Sequence, residues 1–485
     1  MSRRLSELVQ RDLEDDPLIT AVTADSRKAG PGVLFAALKG VRSDGAQFIP
    51  EAVARGAAAV IAGMDAADCG APLIRAQDPR RLYALASAAL WSPQPHVCVA
   101  VTGTNGKTSV AGFCRQIFAR AGLKAASMGT LGVRVEGPDG LDRQLTPPGL
   151  TTPDAADVAR LAGELRALGV NHLAVEASSH GIDQRRLDGL RLRAAGFLNL
   201  TQDHLDYHGD MAAYQAAKLR LFEELLPTGA VAVLNADSDA YDAFAACVVE
   251  RGQTLYSVGA NGEAIRMASR EPVAEGQRLQ LVFEGRACEV LLPLAGAFQA
   301  SNALVAAGLC RAAGVGIDQV LEGLAHLQGA AGRLQRVGRA ASGGEAYIDY
   351  AHTPDGLQSV LSALRPHTRG RLIVVFGAGG DRDRTKRPLM GAVACAHADL
   401  VIVTDDNPRS EDPSSIRQAI LEAAPGAREI GDRRLAIRAG VEALGVEDVL
   451  VVAGKGHEQG QIIGEATLPF DDFTEVAAAL EASRG

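Results

Sequence analysis

The feature that most constrains the fold is a series of short apolar runs, each ending at a loop rich in glycine or acidic residues. These runs begin at His96, His172, Gly196, Ala230, Arg371, Asp399 and Asp448. Continuous Val, Ile and Leu over such lengths is typical of strands buried on both faces of a sheet. Ala- and Leu-rich stretches with a helical pattern lie between the runs, for example at 154–168 and 212–226. This alternation predicts an α/β fold with parallel sheets.

Length and two breaks in the pattern predict the domain organisation. At ~150 residues per domain, 485 residues suggest about three domains. The segment 91–95 (WSPQP) is typical of a linker, and a weaker break lies near 329–337. We therefore expect a small N-terminal α/β domain at 1–95, a central P-loop ATPase-like parallel sheet at 96–332, and a C-terminal Rossmann-like domain at 333–485.

Composition argues against several classes of protein. A net charge of −9 does not favour binding to the DNA backbone, and 4% aromatic residues do not favour stacking on single strands. We expect no nucleic-acid partner. The 53 glycines are about 11% of the chain against a typical ~7%, without the period of a fibre, which favours an enzyme with many loops.

The cysteines and the N-terminus suggest a cellular location. Seven single cysteines without a CxxC pair are more typical of reduced thiols than of a disulfide framework or a zinc site. The first residues carry charges of both signs, unlike a signal peptide, and no apolar run approaches the ~18 residues that cross a bilayer. We expect a soluble cytoplasmic protein without membrane insertion.

The segment VTGTNGKTS, which follows the first of the central runs, has the pattern of a phosphate-binding loop. Glycines such as Gly103 and Gly106 let backbone N–H groups face phosphate oxygens at a helix N-terminus. Lys107 would reach the β- and γ-phosphates, and the Thr108 hydroxyl would bind Mg²⁺. The match to the general pattern is partial because Val101 stands where a glycine is usual. The alternative is a glycine-rich turn with an incidental lysine.

Three further polar residues follow strand-like runs of the same region. Glu176 ends one run, and His204 and Asp206 follow the next. Beside a phosphate loop they favour a metal site, although alone Glu176 could cap a helix and His204 could be structural. The residues alone predict that Lys218, in a helical stretch, is an exposed surface lysine.

These residues belong to motifs that occur in the order seen in the Mur ligases, the ATP-dependent amino-acid ligases of peptidoglycan synthesis. The motifs are GTNGKTS, TTPD, EASSHGIDQRR, NLTQDHLDYHG, LNADSD, GAFQASNALVAA, DYAHTPDGL, GAGGDRDRTKRP, DDNPR and GKGHE. The chain resembles this family nearly from end to end. DNPR resembles the signature of the members that add meso-diaminopimelate rather than lysine.

The resemblance implies a catalytic set and an ATP site. Lys107, Glu176, His204 and Lys218 would be catalytic, with Thr108 and Glu176 at one Mg²⁺ and His204 at a second. Lys218 takes the position of a carbamylated lysine (N6-carboxylysine), which reverses the expectation of a surface lysine. The implied ATP-binding residues are Gly103, Thr104, Asn105, Gly106, Lys107, Thr108, Ser109, Asn302, Arg333 and Asp349. Gln299 departs from the family, which usually has asparagine there.

The resemblance also implies the substrate sites. Ala24, Ser26, Val41, Arg42 and Ser43 match the uridine-nucleotide site of the N-terminal domain, although 41–43 is not a fixed motif. Thr151, Thr152, Ser178, Gln184 and Arg186 match the muramoyl-dipeptide site. Arg382, Asp406, Asn407, Pro408, Arg409, Gly454 and Glu458 match the site of the incoming amino acid.

The expected reaction is ATP-dependent addition of meso-diaminopimelate to the D-glutamate γ-carboxylate of UDP-N-acetylmuramoyl-L-alanyl-D-glutamate, through an acyl phosphate. ATP and Mg²⁺ are the expected cofactors, small molecules the expected partners, and a monomer the expected state. A lysine-adding ligase of the same family is the nearest alternative. A folylpolyglutamate synthetase and a non-catalytic nucleotide-binding regulator are further ones.

Overall fold

The computed structural model describes residues 2–40, 43–273 and 276–483. They form two compact units, one of Met1–Met267, Leu281–Cys288 and Ser301–Leu324, the other of Ala268–Gln280, Glu289–Ala300 and Ala325–Gly485. Parallel sheets with helices between their strands are present in both units, so the predicted α/β class is confirmed. The predicted domain boundaries stay a prediction.

The N-terminal region contains a four-stranded parallel sheet. The elements of the N-terminal region are β1 (Arg3–Arg4), α1 (Leu5–Val9), β2 (Leu18–Ile19), β3 (Ala21–Thr23), a 3₁₀ turn (Ser26–Lys28), β4 (Val33–Ala36), a 3₁₀ turn (Gly45–Phe48), α2 (Ile49–Ala54), β5 (Ala59–Ala62), β6 (Leu73–Arg75) and α3 (Pro79–Leu90). The strand order is β3-β4-β5-β6. Helix α3 begins at a proline, and the Asp78 side chain caps its N-terminus by accepting from Arg81 N.

The central region contains the largest sheet. Its elements are β7 (Val97–Thr102), α4 (Lys107–Arg120), β8 (Ala125–Gly129), β9 (Gly132–Glu136), β10 (Asp142–Thr146), α5 (Ala155–Ala167), β11 (His172–Glu176), α6 (Ser179–Asp183), β12 (Leu192–Phe197), α7 (Leu205–His208), α8 (Met211–Arg220), a π-helical turn (Leu221–Leu225), β13 (Val231–Asn235), α9 (Tyr241–Glu250), β14 (Thr254–Gly259), β15 (Ile265–Val273), β16 (Gly276–Phe283), β17 (Arg286–Leu292), α10 (Ala297–Ala312) and α11 (Ile317–Leu324). Strand order is β10-β9-β8-β11-β7-β12-β13-β14-β15-β16-β17, and residues 265–292 of the last three strands are divided between the two units.

Strand β7 lies between β11 and β12 and runs parallel to both. Glu176, the last residue of β11, pairs with Val101 of β7. The register therefore brings the Glu176 carboxylate to the sheet edge where the phosphate loop begins, as expected for ligand-binding loops of parallel sheets.

The second unit contains a six-stranded sheet with the order β18-β19-β23-β20-β21-β22. Its elements are β18 (Gln335–Arg339), β19 (Glu345–Asp349), α12 (Pro354–Leu364), a 3₁₀ turn (Arg365–His367), β20 (Leu372–Phe376), α13 (Lys386–His397), β21 (Leu400–Val403), α14 (Pro413–Leu421), β22 (Arg428–Glu429), α15 (Arg433–Glu442), β23 (Val449–Ala453), β24 (Gly460–Ile463), β25 (Ala466–Pro469) and α16 (Asp472–Ala482). Strands β19, β23, β20 and β21 are parallel, so the loops that follow them meet at one edge.

All seven cysteines are unpaired, as predicted. In the described part of the chain, no helix is both long enough and apolar enough to cross a membrane.

Candidate active site

The phosphate loop joins β7 to α4. Gly106 caps α4 with φ +90°, a left-handed conformation that favours glycine. A Cβ at this position would lie 2.3 Å from Asn302 Oδ1, so the close approach of Asn302 also requires glycine. The structure thus brings Asn302 to the loop with which the resemblance associates it.

Lys107 folds back over the loop. Its Nζ donates to the carbonyl oxygens of Gly103 and Thr104, at 2.8 Å each. The loop is supported by Asn199, whose Oδ1 accepts from Thr104 N (3.1 Å) and Asn105 N (2.9 Å). The backbone conformation is therefore fixed by protein contacts, with the ammonium at the loop's centre.

Glu176 contacts the first turn of α4. Its Oε2 accepts from the Thr108 hydroxyl at 2.9 Å, and its Oε1 accepts from Thr130 N at 2.8 Å. Burial raises the pKa of Glu176, and the nearby Lys107 charge and these hydrogen bonds partly oppose that shift. A buried carboxylate beside a hydroxyl provides the oxygen donors that Mg²⁺ prefers.

Lys218 lies under the same loop. It is 1% exposed, and its Nζ donates to Gly103 O at 2.9 Å and lies 4.3 Å from the centroid of the Tyr214 ring. Burial, together with the Lys107 charge, lowers the pKa of Lys218 to about 6. The expectation of an exposed surface lysine is therefore wrong, because α8 turns this side chain toward the loop.

His204 is the N-cap of α7 and has φ +52°. Its Nε2 lies 3.4 Å from an Asp203 carboxylate oxygen, and its ring centroid lies 4.9 Å from that of His180. Within the described residues, no three His, Cys, Asp or Glu side chains are grouped closely enough to hold a metal ion. Among the side chains that the structure describes, Thr108 is thus paired with Glu176, but His204 is not part of a three-residue metal cluster.

The five residues matched to the muramoyl-dipeptide site form one network. The Thr152 hydroxyl contacts Glu176 O (2.8 Å) and Ser178 Oγ (2.9 Å). Arg186 donates to Thr152 O at 2.6 Å and to Gln184 Oε1 at 2.7 Å. Thr151 joins the network through Thr130, hydroxyl to hydroxyl, at 3.0 Å. This network reaches the backbone and side chain of Glu176, so the predicted dipeptide and magnesium residues are adjacent.

A cavity of about 840 Å³ opens in the N-terminal region. Ala24 and Ser26 line it, as the resemblance predicts, and the Ser26 hydroxyl donates to Glu51 at 3.1 Å. Tyr83 and Asp154 line the same cavity, and the Tyr83 hydroxyl donates to the Asp154 carboxylate. Ser43 is exposed, and its carbonyl accepts from Gly40 N at 2.9 Å.

In the second unit, Asn407 and Glu458 are in direct contact. Asn407 Nδ2 donates to Glu458 Oε2 at 2.8 Å. The buried Lys455 donates to Asn407 Oδ1 at 2.8 Å and lies 3.3 Å from the same Glu458 oxygen. Gly454 (φ +119°) faces Asp406, whose carboxylate would lie 2.4 Å from an added Cβ. The DDNPR and GKGHE loops are thus packed together.

Arg409 follows Pro408, which is buried, and adopts φ +52°. Its guanidinium donates to Gly380 O at 2.8 Å, which ties DDNPR to the loop after β20. Arg382, on that loop, is exposed. The seven residues matched to the amino-acid site therefore lie on three loops at one sheet edge.

Arg333 and Asp349 are neighbours in the same unit. The Asp349 carboxylate accepts from Leu334 N (2.6 Å) and Ala351 N (2.7 Å), and burial raises its pKa to about 6. The Arg333 guanidinium lies 4.9 Å from the centroid of the Tyr350 ring. A cation above an aromatic ring and a buried carboxylate can contact a nucleoside by stacking and hydrogen bonding.

Comparisons with known proteins agree with this arrangement. Residues 18–90 match the catalytic domain of the Mur ligase family, 101–310 the Mur ligase middle domain, and 332–456 the Mur ligase glutamate ligase domain. A Caulobacter vibrioides protein named UDP-N-acetylmuramoyl-L-alanyl-D-glutamate--2,6-diaminopimelate ligase is 65% identical over 99% of both chains. This chain belongs to the Mur ligase family.

Other Mur ligases are also similar. A Brucella melitensis ligase of the same name is 52% identical over 96% of this chain and 94% of its own. A solved structure with that name is 33% identical, covers 100% of both chains and has a TM-score of 0.78. The predictions of family membership and of a ligase fold are confirmed.

The structure also brings to the predicted site residues several neighbours that sequence reasoning did not single out. Asn199 supports the phosphate loop, Tyr83 and Asp154 line the N-terminal cavity, and Lys455 joins Asn407 to Glu458. Asn199 and Lys455 each follow an apolar run, a signal that could have found them. Val41 and Arg42 lie outside the described residues, as does the side chain of Asp206.

Proposed function

We propose that this Mur ligase joins meso-2,6-diaminopimelate to the D-glutamate γ-carboxylate of UDP-N-acetylmuramoyl-L-alanyl-D-glutamate, with ATP cleaved to ADP and phosphate. The structural observation that supports this function most is that residues for both half-reactions are already in place. A phosphate loop lies beside the buried Glu176 carboxylate, and the DDNPR and GKGHE loops carry Arg409 and Glu458. The full-length identity to ligases of that name supports the same substrates.

Thr108 and Glu176 would hold one Mg²⁺. The hydroxyl and carboxylate oxygens lie 2.9 Å apart and fit an ion that takes oxygen ligands and keeps water and phosphate oxygens as the rest. The bound ion would neutralise charge on the transferred phosphoryl group. His204 would contact a second ion, as the family resemblance implies.

Phosphoryl transfer depends on positioning and charge compensation more than on covalent help from the protein. Lys107 and the N–H groups of 103–108 would bind the β- and γ-phosphates at the N-terminus of α4. A γ-carboxylate oxygen attacks the γ-phosphorus, the bond to ADP breaks, and an acyl phosphate forms. The amine then attacks the acyl carbon, phosphate leaves, and the nitrogen loses a proton.

The dipeptide network would orient the attacking carboxylate. Thr152 and Ser178 contact each other and Thr152 contacts the Glu176 backbone, so a carboxylate bound there would lie near the phosphate loop. Arg186, whose guanidinium already contacts Thr152 O and Gln184, adds positive charge to the dipeptide site. The cavity lined by Ala24 and Ser26 would take the uridine nucleotide.

The second unit would select the amino acid. Diaminopimelate differs from lysine by a distal carboxylate, which an arginine can hold through two parallel hydrogen bonds. Arg409 would take that group, and Glu458 the neighbouring ammonium. A site built for a charged group rejects analogues that lack it.

We also propose the domain boundaries 1–95, 96–332 and 333–485, a monomeric state and a cytoplasmic location. Lys218 would be carbamylated, which converts an amine into a carboxylate-like group. A neutral amine is the form that reacts with CO₂, and burial favours that form of Lys218.

The decisive experiment measures phosphate release with ATP, Mg²⁺ and the UDP-muramoyl dipeptide, with meso-diaminopimelate or lysine as acceptor. We expect release with diaminopimelate and little with lysine. Equal rates would contradict the assigned specificity, and preference for lysine would favour the lysine-adding ligase. Release that depends on neither amino acid would contradict both.

A further inference from the structure

Lys455 is a fully buried cation at the proposed amino-acid site. It follows β23 directly after Gly454, and its side chain is 0% exposed. A buried lysine costs free energy unless its ammonium is paired and hydrogen-bonded. Buried ion pairs often add little to the free energy of unfolding, so the contact between Lys455 and Glu458 does not by itself indicate a role in stability. Its location at the proposed amino-acid site says more about what Lys455 does.

The ammonium is one corner of a triangle of polar contacts. Lys455 Nζ donates to Asn407 Oδ1 at 2.8 Å and lies 3.3 Å from Glu458 Oε2. Asn407 Nδ2 donates to the same Oε2 at 2.8 Å. Two of the three residues in this triangle therefore belong to the set matched to the incoming amino acid.

The triangle fixes the orientation of both partners. Asn407 Oδ1 also accepts from Ile462 N at 3.0 Å, so its amide oxygen faces two donors and its Nδ2 faces Glu458. Both contacts to Glu458 fall on Oε2, and among the described residues none is found on Oε1. The Glu458 side chain is 34% exposed, so a carboxylate held on one oxygen presents the other to a ligand.

We propose that Lys455 is a positioning residue that orients Asn407 and Glu458 for the ammonium of the incoming diamino acid. Lys455 does not itself contact the substrate, because its ammonium is buried behind the two residues it binds. The inference rests on the proposed function. Beyond that function, the proposal states that the affinity for the amino acid depends on the Lys455 ammonium, which the substrate does not contact.

The test compares Lys455→Met, Glu458→Gln and the double variant in phosphate release, with KM measured for diaminopimelate, ATP and the UDP-muramoyl dipeptide. Lys455→Met should raise KM for diaminopimelate about 10-fold or more and leave the other two KM values within about twofold. Because Lys455 acts through Glu458, the double variant should be no worse than the worse single variant.

Arg371→Met is the matched control. Arg371 binds the buried Asp448 at 2.7 Å, at the opposite end of β23, so its loss removes a cation from the same sheet without touching the triangle. It should leave KM for diaminopimelate unchanged. If Lys455→Met does not fold, Lys455→Gln, which keeps an N–H donor, gives the same readout.

An unchanged KM for diaminopimelate in a folded Lys455 variant would overturn the proposal. So would a parallel rise of all three KM values, or additive effects in the double variant. A wild-type enzyme that releases no phosphate with diaminopimelate would instead contradict the proposed function.

Discussion

Lys218 and Lys455 are both almost fully buried, but their surroundings differ in kind. Lys218 donates to the carbonyl of Gly103 and lies near the cation of Lys107, with Asp203 as a partial counter-charge. Lys455 lies 3.3 Å from the Glu458 carboxylate and donates to an amide oxygen. The two lysines are therefore equally buried but have different partners.

The comparison shows that the groups around a buried lysine, more than its burial, decide which chemical role the side chain suits. Desolvation disfavours the charged form, and a nearby cation adds to that effect. At Lys218 both lower the pKa, to about 6, so a large share of the amine is neutral near pH 7 and can react with CO₂. At Lys455 the side chain instead contacts an amide oxygen and a carboxylate oxygen, both on residues of the proposed amino-acid site, which suits a positioning role.

The largest expected effect concerns Lys107, whose charge adds to burial in lowering the pKa of Lys218. Lys107→Ala should reduce ligation by about 10³-fold or more, because a charge aimed at the transferred phosphoryl group is lost. Phosphate release with both substrates measures it. Lys124→Ala is the control, since exposed Lys124 also donates to a carbonyl, that of Leu168. Near-normal ligation by Lys107→Ala would contradict the proposed role of the phosphate loop in phosphoryl transfer.

On the Lys455 side of the comparison, the next effect concerns Arg409. Arg409→Ala should raise KM for diaminopimelate about 100-fold, since the variant lacks the guanidinium that we propose for bidentate contact with the distal carboxylate. KM for ATP should stay within about twofold. Arg369→Ala, an exposed arginine 3.4 Å from Glu447, is the control. A larger effect from Lys455→Met than from Arg409→Ala would show that positioning outweighs direct contact.

Much of the fold could be predicted because its signals are local. Buried parallel strands are continuous apolar runs, and the helix predicted over 154–168 is observed as Ala155–Ala167, capped by the Asp154 side chain. The phosphate loop could be predicted for the same reason, since its glycines, lysine and threonine are consecutive.

The contacts that define the site depend on packing between distant segments. Lys218 reaches Gly103, 115 residues away, only because of the face that α8 turns inward. The bond from Lys455 to Asn407 spans 48 residues, and that from Tyr83 to Asp154 spans 71. A sequence pattern gives the character of each segment but not which side chains meet, so the residues alone do not predict the burial of these polar groups. For Lys218, only the family resemblance pointed to the site.

A pH series tests the Lys218 half of the comparison in protein kept free of CO₂. The pKa of Lys218 falls from 10.5 to about 6 on folding, so between these values the unfolded state binds a proton that the folded state lacks. The free energy of unfolding should therefore rise with pH across this window, by about 1.4 kcal/mol per pH unit from this group. Urea unfolding at pH 7 and pH 8 measures the slope.

Lys218→Met provides the reference for that series. The variant has no amine to titrate, so its free energy of unfolding should rise less between pH 7 and pH 8 than that of the wild type. Equal slopes in the two proteins would show that Lys218 keeps its proton when buried, and would contradict the lowered pKa.

The smallest effect concerns a buried polar contact made by a neutral donor, the hydroxyl of Tyr83. Burial and the nearby Asp154 and Asp157 carboxylates raise the pKa of Tyr83, so the hydroxyl stays protonated and donates to Asp154. Asp154 also accepts from Ala156 N at 3.0 Å, so Tyr83→Phe leaves it with a partner. We expect Tyr83→Phe to lower the free energy of unfolding by about 1 kcal/mol, measured in urea.

Because Tyr83 lines the N-terminal cavity, the affinity for the UDP-muramoyl dipeptide is measured alongside, and it should change less than threefold. A loss of that affinity with unchanged stability would instead make the hydroxyl a substrate contact.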